Sequence, residues 1–180
     1  MVLADNMQIV IGGFNSGREY EKYNGCLSSC ELYDFKIGQW IRIAKELNFP
    51  RFSQSACVAE NKYIYVFGGQ KGNSESVSTI ERLNIKTLDF ITEDESEKQI
   101  RQRNEDNDEE EKKEETVVKK KWKQLKVDTP DWFKDDSQFL SSINLFNSSN
   151  SILILGSKKT QITIFNYLSG EFSEFKDVES

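Results

Sequence analysis

The chain has 180 residues, of which 12% are aromatic and 30% are charged, with a formal net charge of -6 at pH 7. This length suffices for one domain with a substantial core. Histidine is absent, which removes the side chain that most often acts as a general acid or base near neutral pH. Three cysteines are an odd set and do not indicate a disulfide framework.

The N-terminus lacks the basic flank of a signal peptide, and no stretch approaches the ~18 apolar residues of a membrane span. We therefore expect reduced thiols and a cytoplasmic location.

The first group of predicted strands covers residues 1–45. Short apolar runs bounded by turn residues are typical of strands. Four strands are predicted at residues 2–4, 7–11, 31–36 and 39–44. A polar loop at 14–29 separates the second strand from the third, and a turn at Ile37-Gly38 separates the third from the fourth.

The second group covers residues 54–127. Three strands are predicted at residues 54–59, 62–67 and 79–85. Asn61 suits a tight turn between the first two of them. The pattern breaks after Phe90 and resumes at Trp122, where a fourth strand is predicted.

An acidic insertion at residues 91–118 interrupts this second group. Residues 93–115 hold twelve acidic and five basic side chains, a balance of -7 that leaves +1 for the rest of the chain. So polar a segment buries too little apolar surface to offset its chain entropy, which predicts disorder or a fraying helix. It is either a solvated spacer or a second contact for basic partners.

The third group covers residues 138–176. Its strands are predicted at residues 139–144, 151–155, 161–166 and 172–175. These three groups are internal repeats, because each contains an apolar strand that ends in a small-residue pair. The first two pairs are Gly12-Gly13 and Gly68-Gly69, and the third is Gly156-Ser157. The spacing between the pairs is 56 and then 88 residues, and the excess of 32 is close to the length of the insertion.

A second landmark follows each pair, and the spacing between its own residues is constant. An aromatic residue with Asp or Asn comes first, as in Tyr33-Asp34 and Phe165-Asn166, and an aromatic residue follows it, as in Trp40 and Phe172. This combination resembles the kelch repeat. The positions that carry the resemblance, with a structural role implied for each, are Gly12, Gly13, Tyr33, Trp40, Gly68, Gly69, Trp122, Gly156 and Phe172.

The resemblance implies an all-β fold of four-stranded antiparallel blades in a β-propeller. About three blades are expected, at residues 1–45, 54–127 and 138–176. Since propellers have about four to eight blades, the expected propeller is incomplete or open. It would close through self-association, through a partner or through additional blades. In the kelch pattern the aromatic residue packs against a neighbouring blade, so Trp40, Trp122 and Phe172 are expected in the core.

The resemblance also implies a non-catalytic module that binds proteins through the loops between strands two and three and between blades. Four loops should share this face, at residues 14–29, 45–53, 70–78 and 128–137, and the acidic insertion should lie on the opposite side. The candidate contact residues in these loops are Arg18, Tyr20, Tyr23, Arg51, Lys71 and Trp132. The alternatives are an enzyme of the propeller class, which would need convergent carboxylates, and a truncated piece of a larger kelch protein without independent function.

Other chemistry is poorly supported, and no catalytic, cofactor or metal residues are predicted. Zinc at Cys26 and Cys30 would need two further ligands, and only Cys57 remains. The stretch 12–19 imitates a phosphate loop, but Arg18 and Glu19 replace its lysine and hydroxyl residues. The basic run at 119–123 is interpreted as a solvated outer strand. Protein partners are therefore expected, with neither nucleic acid nor membrane.

Overall fold

The computed structural model describes residues 1–4, 7–15, 25–73, 75–90, 121–136, 141–144, 150–156 and 162–174. Within these residues the chain forms three antiparallel four-stranded sheets. In each sheet, strands that follow one another in sequence are also neighbours in space. The predicted all-β class, built from four-stranded antiparallel sheets, is confirmed.

The strands and helices follow the chain as three successive meanders. The first sheet contains β1 (Val2–Ala4), β2 (Met7–Phe14), β3 (Cys26–Asp34) and β4 (Gln39–Ile43). The second contains β5 (Ser55–Ala59), β6 (Tyr63–Phe67), β7 (Ile80–Asn84) and β8 (Lys123–Gln124). The third contains β9 (Ser141–Asn144), β10 (Ser151–Leu155), β11 (Ile162–Asn166) and β12 (Glu171–Glu174). A 3-10 turn, Ile85–Thr87, follows β7, and a short helix, α1 (Asp131–Asp136), precedes β9.

The turns between strands explain the Asp or Asn that recurs in each repeat. The side chain of Asp34 accepts a hydrogen bond of 2.7 Å from the Lys36 backbone, and that of Asn166 accepts one of 3.0 Å from the Leu168 backbone. Such local bonds stabilise a turn by replacing backbone partners. Glu60 and Asn61 both have positive φ, 55° and 47°, as the central residues of a type I′ turn require, and the Lys62 backbone donates to the Ala59 carbonyl at 3.1 Å. The tight turn predicted at Asn61 is confirmed.

The first glycine pair does not end its strand. In the second sheet β6 stops at Phe67, as predicted, whereas β2 continues through Gly12 and Gly13 to Phe14. The register shifts between Ile11 and Gly13, which marks a β-bulge. Gly12 has φ of 54°, and a Cβ there would lie 2.7 Å from the Arg51 carbonyl oxygen. The glycine is therefore required by the close approach of the chain that enters the second sheet.

Two apolar cores lie between successive sheets. Side chains alternate across each strand, so neighbouring residues of β6 enter different cores. Ile64 and Val66 pack with the first sheet, and Tyr65 and Phe67 pack with the third. The innermost strands β1, β5 and β9 are neighbours, and the hydroxyl oxygens of Ser55 and Ser142 lie 2.8 Å apart.

The flanks of the acidic insertion lie against the end of β4. After β7 the chain crosses to the first sheet, where Phe90 pairs with Ile43 and the Ala44 backbone donates to the Asp89 carbonyl at 2.7 Å. The chain returns at Lys121, which pairs with Glu46. β4 is the outer strand of the first sheet, so its backbone groups are available to pair with residues 89 and 90. The insertion itself lies outside the described residues, but both of its flanks meet the segment that leads into the second sheet.

The segment after the second sheet differs from the predicted loop. Residues 131–136 form α1, and Phe133 of this helix is fully buried in the core between the second and third sheets. None of the helical segments in the described part of the chain is long and apolar enough to cross a bilayer.

Candidate interaction surface

One end of the first two sheets is built by three pieces of chain. These are the end of β2, the loop at 68–79 between β6 and β7, and the connecting segment at 44–54. We call this end the loop face. Loops that are held on a rigid scaffold often carry binding residues.

Backbone hydrogen bonds hold the connecting segment to both sheets. The Leu47 backbone donates to the Ser28 carbonyl at 2.9 Å, and the Arg51 carbonyl accepts from Gly13 at 2.8 Å. On the other side Phe52 and Gln70 exchange two bonds of 3.0 and 2.8 Å. The segment is therefore a fixed bridge between the two sheets.

A buried ion pair strengthens this bridge. The Arg51 guanidinium contacts the Glu81 carboxylate of β7, and neither side chain has exposed surface. Arg51 also donates to the carbonyl of Gly68 at 2.9 Å, and to the hydroxyl and the carbonyl of Thr79 at 2.8 and 3.2 Å. The second oxygen of Glu81 accepts from the backbone and side-chain nitrogens of Asn48 at 2.8 and 2.7 Å. Burial lowers the pKa of Arg51, and the charge of Glu81 opposes that change.

This burial changes the interpretation of Arg51. The sequence placed it among the partner contacts, because it lies in a loop after Pro50. In the structure it is 0% exposed, so it presents no surface to a partner. Its donors are used to join Phe49, Gly68 and Thr79.

Aromatic side chains lie at the surface on this bridge and at the adjoining end of β2. Phe14, at the end of β2, is 57% exposed, and its ring centroid lies 5.5 Å from that of Phe52. Phe49 is partly exposed, and the Lys71 ammonium lies 6.0 Å from its ring centroid. Exposed aromatic groups of this kind mark interaction sites more often than isolated aliphatic ones do.

A charged pair adjoins these rings. The Lys71 ammonium lies 2.8 Å from the Glu75 carboxylate, and both side chains are exposed. The hydrogen bond from Lys71, together with one from the Asn73 amide, lowers the pKa of Glu75. We call Phe14, Phe49, Phe52, Lys71 and Glu75 the loop-face patch. It combines apolar rings with one charge of each sign.

The six predicted contact residues have different positions. Arg18, Tyr20 and Tyr23 lie outside the described residues. Lys71 lies in the loop-face patch. Trp132 lies on α1, where its ring is 5.8 Å from that of Phe133 and packs against the core between the second and third sheets.

The sequence predicted that the loops containing Phe14, Phe49, Phe52 and Glu75 lie on one binding face, but it did not single out these four residues. A local signal was present for three of them. Phe14 directly follows the glycine pair, and Phe49 and Phe52 flank Pro50-Arg51. Aromatic residues in an otherwise polar connection are candidates for surface contacts, because a connection does not form a core of its own.

The three repeat aromatic residues also differ in position. Trp122 is 3% exposed, and Phe172 packs 4.9 Å from Phe165, measured between ring centroids. Trp40 is 53% exposed, and its ring lies 5.2 Å from that of Tyr33 in its own sheet. This differs from the core position expected for Trp40, and the reason is that no sheet covers that face of β4 within the described residues.

The perturbed thiols belong to the interior. Burial raises the pKa of Cys30 and of Cys57 to about 12, so both are protonated near neutral pH and are weak nucleophiles. Among the residues that the structure describes, no three Cys, Asp or Glu side chains form a group able to hold a metal ion. The groups that the loop face presents are aromatic rings, one charge of each sign and backbone groups, all of which can contact a partner.

Comparison with known proteins identifies the second sheet. A search of curated proteins found no match to this chain. The family model described as Kelch motif matches residues 51–89, from the buried arginine through β5, β6 and β7 to the crossing toward the first sheet. The chain thus carries a kelch motif at residues 51–89, and the kelch resemblance is confirmed for β5, β6 and β7 of its second sheet.

Proposed function

We propose that the chain is a non-catalytic, kelch-type module that binds a protein partner through the loop-face patch. Kelch repeats generally mediate protein–protein interaction. The observation that carries the proposal is the contact of the Phe14 ring with that of Phe52, which lies on the bridge that a buried ion pair fixes. The ring of Phe49, on the same bridge, lies 6.0 Å from the ammonium of Lys71, which pairs with Glu75. Rigid aromatic anchors bind with little loss of side-chain entropy.

The patch favours a peptide segment with an apolar side chain next to a charged one. The rings of Phe14 and Phe52 offer the apolar contact, and the Lys71–Glu75 pair offers a charge of either sign close by. An exposed ion pair contributes little to stability, so a partner can exchange one member at small cost. The charges would then set orientation and selectivity more than affinity.

A peptide selection tests this proposal. The full 180-residue chain is immobilised and used to select binders from a random peptide library displayed on phage. The dissociation constant of one selected peptide is then measured by fluorescence anisotropy. Phe14→Ser should weaken binding about thirtyfold, the effect of losing an interface anchor worth about 2 kcal/mol. Lys71→Glu should change the affinity and the salt dependence of charged peptides.

Leu168 provides the matched control. It is 70% exposed and lies in the turn between β11 and β12 of the third sheet, away from the loop face. Leu168→Ser should leave the affinity within about twofold, as expected of a surface change outside the site. Peptides that bind equally well to the wild type, Phe14→Ser and Lys71→Glu would exclude the patch as the binding site.

We also propose a cytoplasmic location. The support is the state of the cysteines, because Cys26, Cys30 and Cys57 are all buried free thiols. Free thiols are typical of proteins in reducing compartments.

A further inference from the structure

One face of the first sheet is uncovered in the described structure. We call it the leading face, and the register assigns to it Gln8, Val10, Glu31, Tyr33, Trp40 and Arg42 of β2, β3 and β4. Trp40 is 53% exposed, and the Tyr33 ring lies 5.2 Å from that of Trp40 and 5.1 Å from that of Phe35 in the turn between β3 and β4. An aromatic surface of this kind on an open sheet indicates a contact.

The register shows what the equivalent faces of the other sheets do. Gln8, Tyr33 and Trp40 stand opposite one another across the first sheet. In the third sheet Ile152, Phe165 and Phe172 are related in the same way. In the second sheet Ile64 pairs with Leu83, and Trp122 is the corresponding aromatic residue. Ile64, Leu83, Trp122, Ile152 and Phe165 are all at most 3% exposed.

The preceding sheet covers each of these equivalent faces. Ile9 and Leu32 of the first sheet share a core with Ile64, Leu83 and Trp122 of the second. Tyr65 and Phe67 of the second sheet contact Phe165 of the third, with ring centroids 6.2 and 5.9 Å apart. The same contact between sheets therefore occurs twice inside the chain.

The complementary half of this contact is present, also uncovered in the described structure, on the third sheet. Leu153 pairs with Ile164, and Leu155 pairs with Ile162. Because Ile152 and Ile154 enter the core with the second sheet, these four side chains lie on the opposite face. We call them the trailing face. All four are aliphatic and only partly buried.

We infer that a second copy of this chain covers both faces, with the trailing face of each copy packed on the leading face of the other. The described residues of each chain form three sheets, so a two-fold pair would form a closed ring of about six, within the usual range for propellers. Gln8 occupies the position in the first sheet that corresponds to Ile64 and Ile152, which are buried in the other two sheets. Its polarity suits an interface formed between chains that fold separately, since such interfaces are less apolar than cores.

The internal contacts also predict which residues meet. The Cys30 thiol of the first sheet lies beside the Trp122 side chain of the second. Cys30 pairs with Ile11, just before the first glycine pair, and Ile162 pairs with Leu155, just before Gly156. Ile162 is therefore the residue of the third sheet that corresponds to Cys30. Trp40 of one copy should therefore pack near Ile162 of the other.

Sedimentation equilibrium of the full 180-residue chain over a range of concentrations tests this inference. The expected result is a discrete monomer–dimer equilibrium. Trp40→Glu should raise the dimer dissociation constant at least about thirtyfold, because it places a charge at an aromatic anchor. Ile162→Lys on the other face should have an effect of similar size. Circular dichroism verifies that each variant is folded, and Leu155→Lys on the same face replaces Ile162→Lys if that variant does not fold.

Mixing the two variants distinguishes this arrangement from a dimer of identical faces. In the mixture one junction is unmodified, and the other brings the introduced carboxylate of one copy near the introduced ammonium of its partner. The variants should therefore associate more tightly together than either does alone. Phe14→Ser, which changes a similarly exposed ring of the loop-face patch, should leave dimerisation unchanged. A monomer at all concentrations, aggregates of undefined size, or a dimer sensitive to Trp40→Glu but not to a folded Ile162→Lys would overturn the inference.

Discussion

Replacing Glu81 by glutamine would test the role of the buried ion pair under the loop face. Glu81→Gln keeps the volume of the side chain and an acceptor for Asn48, but it removes the charge and replaces the oxygen that faces Arg51 by an NH2 donor. Arg51 would then remain fully buried, with neutral partners alone. We expect a loss of about 3–5 kcal/mol, the usual effect of removing one member of a buried pair.

That loss is large on the scale of the whole molecule. A domain of this size is stable by about 5–15 kcal/mol, so the single change would remove about a fifth or more of the total. Arg51→Lys should be intermediate. It keeps the charge, but the ammonium cannot bridge Glu81, Gly68 and Thr79 as the guanidinium does.

The free energy of unfolding is measured by urea titration at one fixed protein concentration, with tryptophan fluorescence as the signal. Trp122 is buried and its carbonyl accepts a 2.8 Å bond from the Asn48 side chain, so it reports on this region. A double-mutant cycle with Arg51→Met and Glu81→Leu should give a loss smaller than the sum of the two single losses. A loss below about 1 kcal/mol for Glu81→Gln, or additive single losses, would refute the claim that the pair fixes the bridge.

Two further predictions concern the glycine pair and the buried thiols. Gly12→Ala should destabilise the chain more than Gly13→Ala, measured by urea unfolding, because both residues have positive φ but only the Cβ at Gly12 would meet the Arg51 carbonyl, at 2.7 Å; equal losses would contradict the close approach. Stability should also fall between pH 9 and about 12, because the unfolded thiols ionise near pKa 9.0 whereas Cys30 and Cys57 in the folded chain retain their protons up to about 12. The unfolded state then binds fewer protons than the folded state, so raising the pH favours unfolding, by up to ~1.4 kcal/mol per pH unit for each thiol. The Cys30→Ala/Cys57→Ala variant should show a shallower decline, and an unchanged slope would contradict the assignment.

Much of the fold could be predicted from local pattern. Strand positions follow from short apolar runs, and turns follow from residues such as Asn61 and Gly38 that adopt positive φ. Asp34 and Asn166 recur because each closes a turn with its own side chain. These features need only neighbouring residues, which is why the repeat was recognisable before any contact was known.

The contact surface depended on residues far apart in sequence. Arg51 looked like an exposed loop residue because its partner Glu81 is 30 positions away and on another strand. Phe14 and Phe52 meet only because the bridge brings the ends of two sheets together. No local pattern distinguishes an arginine that binds a partner from one that is buried among carbonyls.

Trp40 and Trp122 show the same division most clearly. The sequence by itself determined that each is the aromatic residue of its repeat, at the start of an outer strand. Only the tertiary structure decided that Trp122 is 3% exposed and Trp40 is 53% exposed. The physical reason is that burial of such a residue comes from the preceding sheet: the first sheet covers Trp122, and no sheet in the described part of the chain covers Trp40.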